Sequence, residues 1–159
     1  MRRIAIVGAG QAGLQTAIGL LKNGGYEVTV FSNRTPEQIR TGKVMSSQCM
    51  FDMALQNERE IGINYWDDSC PPVQGLGVTV PNPEVPGEKL FTWAGRLTHE
   101  AQAVDQRIKM PRLIEEVEKL GGKFVIEDVG VPEMEQMTLE YDLVLVAAGK
   151  GDIVKTFER

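Results

Sequence analysis

An α/β fold organised on a parallel sheet is the class this sequence predicts, and three observations predict it. RRIAIVG (residues 2–8), YEVTVF (26–31) and YDLVLVAAG (141–149) are short apolar runs bounded by glycine or turn residues, the pattern of strands covered on both faces. Leu14, Ala17, Ile18 and Leu21 fall at i, i+3, i+4 and i+7, one apolar stripe of a helix between the first two runs. A strand, a helix and a strand within residues 2–31 require a crossover and therefore parallel pairing.

Taken in order, Gly24-Gly25 stop the first helix, because glycine takes the left-handed cap conformation. SNRTPEQIRTGK carries turn and breaker signals, and VMSSQCMFDMALQNEREIG is compatible with a helix but lacks a clean stripe. Met45, Met50, Met53 and Trp66 read as packing residues. Residues 70–95 are rich in proline and glycine around GLGVTV and KLFTWAG, which predicts a β-hairpin layer and not a second strand–helix–strand unit. Met110, Leu113, Ile114, Val117 and Leu120 form another helical stripe, with Pro111 suited to its first turn and Gly121-Gly122 ending it. Glu115 and Lys119 are spaced to pair on its wet face. KFVIEDV then reads as a strand, and the apolar run at 141–149 as the last one.

Composition narrows the class further. The 159 residues carry 17 Lys+Arg against 22 Asp+Glu, a net charge of −5, with no basic footprint for nucleic acid or an anionic membrane. The longest apolar runs are strand-length, too short to span a bilayer, and the N-terminus lacks a secretory h-region. A soluble, cytoplasmic protein is expected. Cys49 and Cys70 form no Cys-x-x-Cys pair, and His99 is the single histidine, which argues against a His-rich metal site and a Ser-His-Asp triad.

The chemistry is concentrated in the glycines. Gly8-Ala9-Gly10-Gln11-Ala12-Gly13 is GxGxxG, placed after a strand and opening a helix. The first glycine permits the tight turn, the second admits a pyrophosphate to the backbone, and the third lets helix and strand pack closely, with the helix N-terminus facing the anion. The end of the second strand departs from the dinucleotide pattern: Ser32-Asn33-Arg34 stands where an Asp or Glu usually holds ribose hydroxyls. An Arg-containing tip suits the 2′-phosphate of NADP; it also suits an adenosine cofactor held loosely, without the carboxylate. No Walker A lysine follows the glycines. Ala147-Ala148-Gly149 at a strand end admits either a ligand or close backbone packing, and Arg107 is placed to reach a phosphate or to pair with Asp105 or Glu115.

MRRIAIVGAGQAGLQ, VTVFSNRTP, AVDQRIKMPRLIEEVEKLGGKF and YDLVLVAAGKGDIVKTFE together resemble the oxygenase component of the two-component styrene and indole monooxygenases, FAD-dependent proteins related to p-hydroxybenzoate hydroxylase. The resemblance implies a Rossmann-like FAD-binding domain at residues 1–69 and 96–159, interrupted at 70–95 by part of an inserted β-sheet substrate domain. It implies reduced FAD delivered by a separate NADH-dependent flavin reductase, formation of a C4a-hydroperoxyflavin with O₂, and epoxidation of an aromatic-conjugated C=C bond. A homodimer is a further possibility it carries.

By the same resemblance Gly8, Gly10, Gln11, Ala12 and Gly13 wrap the pyrophosphate, and Ser32, Asn33 and Arg34 lie near the adenosine. Arg107 approaches the pyrophosphate or ribityl chain, and Ala148-Gly149 sit beside the cofactor. Ser46, Gln48, Met50 and Val73 begin the substrate pocket. All four look like the indole-preferring branch, whereas the styrene-preferring branch tends to carry Asn, Val and His at the first three. Family members continue beyond Phe157-Glu158-Arg159, so the expectation is a fragment that lacks part of the flavin site. An NADP-dependent reductase and a non-catalytic nucleotide-binding module are the alternatives.

Overall fold

The structure is a computed structural model that describes residues 1–44 and 49–149. Two compact units divide the chain: Met1–Ser46 with Asp105–Arg159, and Ser47–Val104. These boundaries lie outside the 70–95 segment marked by composition. Two features extend the second unit. Its second strand runs on to Ala101, and Met50 bridges Gln102 through paired backbone hydrogen bonds of 2.8 and 3.0 Å.

The first unit holds a four-stranded parallel sheet. Strand β1 (Arg2–Val7) is followed by α1 (Gln11–Asn23) and β2 (Tyr26–Ser32), as the sequence predicts. The short helix α2 (Pro36–Thr41) lies within the segment read as turns. Its signal is a capping box: the Thr35 hydroxyl accepts from Gln38 N–H at 3.1 Å, and the Gln38 side chain accepts from Thr35 N–H at 2.8 Å.

In the second unit, α3 (Asp52–Glu60) precedes the antiparallel pair β3 (Val73–Pro81) and β4 (Lys89–Ala101). Gln102 ties its turn to the strand end, donating to the Trp66 carbonyl at 3.1 Å, and Arg59 closes the same turn through Asp67 at 2.9 Å. Met50 is buried, as expected. Met53 is not: it points from α3 into solvent, 81% exposed, because the helix lacks the stripe that would turn it inward.

The chain returns to the first unit with α4 (Gln106–Lys119), β5 (Lys123–Ile126), α5 (Val131–Glu140) and β6 (Leu143–Val146). Pro111 is inside α4, not in its first turn, because the helix starts earlier, at the Asp105 cap. Proline there removes one ladder bond, and the ring is buried among Met110, Leu113 and Ile114. Glu115 does not meet Lys119. It faces Arg40 of α2 and Arg112 at 3.7 Å each, while Lys119 faces Glu116 at 3.8 Å. Helix α5 has no counterpart in the sequence reading, since its apolar residues are too sparse to mark a stripe.

The strand order is β5-β2-β1-β6, all parallel. Alternation along the central strands splits the core into two faces. Ala5, Val7 and Phe31 pack with Val129 and Met137, so α5 covers that side. Ile4, Ile6, Val28 and Val30 line the other, leaving it to the buried stripes of α1 and α4. Burial of each such side chain contributes about 1.5–3 kcal/mol. The reading of 141–149 as a strand covered on both faces is corrected here. β6 is an edge strand among the described residues, with Leu143 48% and Val146 38% exposed, because only β1 pairs with it.

Candidate functional site

Parallel strands deliver all their carboxyl ends to one edge of the sheet. There the first unit gathers the turn after β1, the tip of β2 and residues 147–149. α4 runs into β5, so it is antiparallel to the strands and brings Asp105 and Arg107 to the same edge. The chain steps from β1 through β2 to β5 in one direction and places β6 on the opposite side of β1. The β1/β6 junction is therefore a topological switch point, where open α/β sheets bind ligands.

The three glycines of the turn have different jobs. Gly8 continues the ladder, donating to the Phe31 carbonyl at 2.9 Å, and then turns at φ +119°, a conformation L side chains avoid. A β-carbon on Gly8 would run into the Ala147 carbonyl, and one on Gly13 into the Gly8 carbonyl, with the Ala147 methyl at 3.3 Å. Both glycines are required by close packing. Gly10 is not: its φ is −89°, and a β-carbon there would meet nothing within 4 Å. It is the N-cap of α1, with no side-chain cap bond and no acidic residue in the first turn. The residue that packing does not explain is the one that opens the backbone at a positive helix end. A pyrophosphate fits this place. Gln11 and Ala12 form the first turn behind it, Ala12 exposed and Gln11 hydrogen-bonded to Gln15 at 3.1 Å.

At the tip of β2, the Ser32 hydroxyl is engaged by its own turn, accepting from Arg34 N–H at 3.2 Å and donating to the Arg34 carbonyl at 3.1 Å. Asn33 and Arg34 are exposed. Ala147 N–H donates to the Val7 carbonyl at 2.7 Å, and Gly149 turns at φ +65°. The small residues at this strand end thus serve close backbone packing at Ala147, while Ala148 and Gly149 lie past the strand end.

Arg107 pairs with Asp105, the partner weighed against a phosphate. The guanidinium Nε lies 3.1 Å from both carboxylate oxygens and Nη2 lies 2.6 Å from Oδ2. The pairing holds the Asp105 carboxyl below its usual range and raises Arg107. Asp105 also caps α4, its Oδ1 accepting from Arg107 N–H at 2.8 Å. The sequence reading missed this cap, because Pro111 marked the first turn further along, and it weighed Asp105 only as a salt-bridge partner of Arg107.

In the second unit, Met50 and Val73 flank the end of β4: Val73 pairs with Ala101 and Met50 bridges Gln102. Ser46 and Gln48 lie outside the described residues. Among the described residues no group of three or more His, Cys, Asp and Glu is arranged to hold a metal ion, and no helix is long and apolar enough to cross a membrane.

An open parallel sheet with a glycine turn at its switch point defines a Rossmann-like α/β fold, and solved flavoproteins share it. The chain aligns over 79% of its length, TM-score 0.58 and 16% identity, with 31% of 2-methyl-3-hydroxypyridine-5-carboxylic acid oxygenase. It aligns equally well with 29% of the flavin-dependent brominase Bmp2. The aklavinone-11 hydroxylase complex with FAD and aklavinone matches over 78% of this chain and 25% of its own, TM-score 0.54 and 20% identity. No protein-family model matches the chain.

The sequence relatives are more specific. Over 158 residues, 99% of this chain, it is 30% identical to styrene monooxygenase StyA of Pseudomonas fluorescens, and likewise to StyA of a Pseudomonas species. The chain is thus similar to styrene monooxygenase, as its motifs suggest, and spans 37% of the length of these curated relatives.

Proposed function

We propose that the chain forms the dinucleotide-binding part of an FAD-dependent monooxygenase that receives reduced FAD from a separate NADH-dependent reductase and oxidises a small aromatic substrate. The observation that carries this reading is Gly10, a glycine that packing leaves unexplained at the uncapped N-terminus of α1, supported by the similarity to StyA. Gly8 and Gly13 would shape the turn around the pyrophosphate and Gly10 would open the N–H groups of the α1 N-terminus to it, with Gln11 and Ala12 behind them. Ser32, Asn33 and Arg34 would border the adenosine, and Ala148 and Gly149 the flavin side.

Bound in its reduced form, FAD supplies activation of dioxygen and delivery of one oxygen atom to the substrate's C=C bond. Met50 and Val73, with Ser46 and Gln48, would begin the substrate wall, and their resemblance to the indole-preferring branch supports indole over styrene as the substrate. A tip without a ribose-binding carboxylate suits a cofactor that arrives and leaves during turnover. A cytoplasmic location accords with a diffusing reduced flavin, and a homodimer remains part of the reading.

The test supplies enzymatically reduced FAD, oxygen and either indole or styrene, with product followed by chromatography. Faster oxidation of indole is expected. Clear preference for styrene overturns the substrate assignment, and tight NADPH binding with hydride transfer in the absence of flavin overturns the flavin reading.

A further inference from the structure

We infer that Asp105 is a positioning residue for the dinucleotide site, holding Arg107 so that the unused edge of its guanidinium is presented to the cofactor's phosphate or ribityl oxygens. The inference rests on the reading of the sheet's carboxyl edge as an FAD site.

Arginine has five N–H donors on a rigid planar group, arranged as two edges that can each grip an oxyanion. Asp105 takes one edge, through Nε at 3.1 Å to both oxygens and Nη2 at 2.6 Å to Oδ2. That contact leaves the Nη1/Nη2 edge to another acceptor. The carboxylate is itself fixed, since its Oδ1 also accepts the Arg107 backbone N–H at 2.8 Å as the cap of α4. The side chain of Arg107 is 36% exposed, accessible to a ligand. Topology brings this pair to the sheet edge that carries the Gly8–Gly13 turn, on α4, which packs beside α1.

A free arginine surrenders rotamer entropy when it binds. One already clamped to a capping carboxylate has surrendered much of it on folding, and it keeps a planar fork for the anion. The carboxylate also puts a negative charge near an anionic ligand. The two effects have opposite signs, which makes the inference decidable: positioning predicts weaker binding when Asp105 loses its charge, and repulsion predicts tighter binding.

Asp105→Asn separates the cap from the clamp, because asparagine caps helices as well as aspartate does but cannot form the charged double contact. Oxidised FAD is titrated by fluorescence against the wild type, Asp105→Asn, Arg107→Ala and the double variant, and each protein is melted. Asp105→Asn is expected to raise the FAD Kd about tenfold at unchanged Tm, and to add nothing in the Arg107→Ala background. Asp105→Glu, which keeps the charge, should recover part of the affinity. An unchanged or lower Kd in Asp105→Asn, or the same loss with Arg107 absent, overturns the positioning role. Failure of the wild type to bind FAD overturns the site reading itself and is seen before any variant is compared.

Discussion

A β-carbon on Gly13 would collide with the carbonyl oxygen of Gly8, five residues earlier in the chain. The first turn of α1 is pressed against the end of β1 so closely that only hydrogen fits. The Gly13→Ala variant should therefore lose about 1–3 kcal/mol, the usual cost of overpacking, read as a Tm lower by roughly 2–10 °C. An unchanged melting curve would refute the tight helix–strand approach.

Gly10 makes the opposite prediction. A methyl group there meets nothing, so Gly10→Ala should fold normally, losing no more than about 1 kcal/mol from the weaker cap. Its FAD affinity should fall at least about tenfold, because the methyl enters the space the phosphate needs. Equal FAD binding by Gly10→Ala and wild type would remove Gly10 from the site.

The capping box of α2 is open to a simple test. Thr35→Ala removes the hydroxyl that accepts from Gln38 N–H and should cost about 1 kcal/mol in denaturant unfolding. Thr35→Ser should restore most of it. If alanine and serine behave alike, the box contributes nothing to stability.

Acid should loosen the second unit at its Arg59–Asp67 contact. The Arg59 hydrogen bond holds the Asp67 carboxyl below its usual range, outweighing the opposing effect of burial, with further help from Asn64 and Gln102. A carboxyl whose folded pKa is depressed stabilises the fold above its unfolded value of about 3.9, and the contribution fades as pH falls through the folded value. Unfolding followed from pH 6 to pH 2 should show a shallower acid loss for Asp67→Asn than for wild type. Parallel curves would mean the contact is not coupled to folding.

Much of the first unit was legible because its signals are local. The apolar strands, the α1 and α4 stripes and the Gly-Gly helix stops each announce themselves within a dozen residues. The start of α4 was misplaced because Pro111 is a strong first-turn signal, whereas the real cap, Asp105, lies beyond an Arg and Ile108, 54% exposed. Helix α5 went unread because only Met137 is buried along it. The site was legible to the extent that GxGxxG encodes it; the pairing state of Arg107 was a choice among partners that spacing could not make.

What the sequence determined by itself is the parallel sheet and its phosphate-type turn, since strand hydrophobicity, crossover length and three glycines act over short range. Only the tertiary structure decided which glycines serve packing and which leaves space, because that depends on Ala147 returning beside β1 from well over a hundred residues away. It likewise decided that Glu115 faces Arg40 and that β6 stands at an edge among the described residues. Contacts between distant segments are set by how layers pack, and a linear pattern records only the face each segment hides.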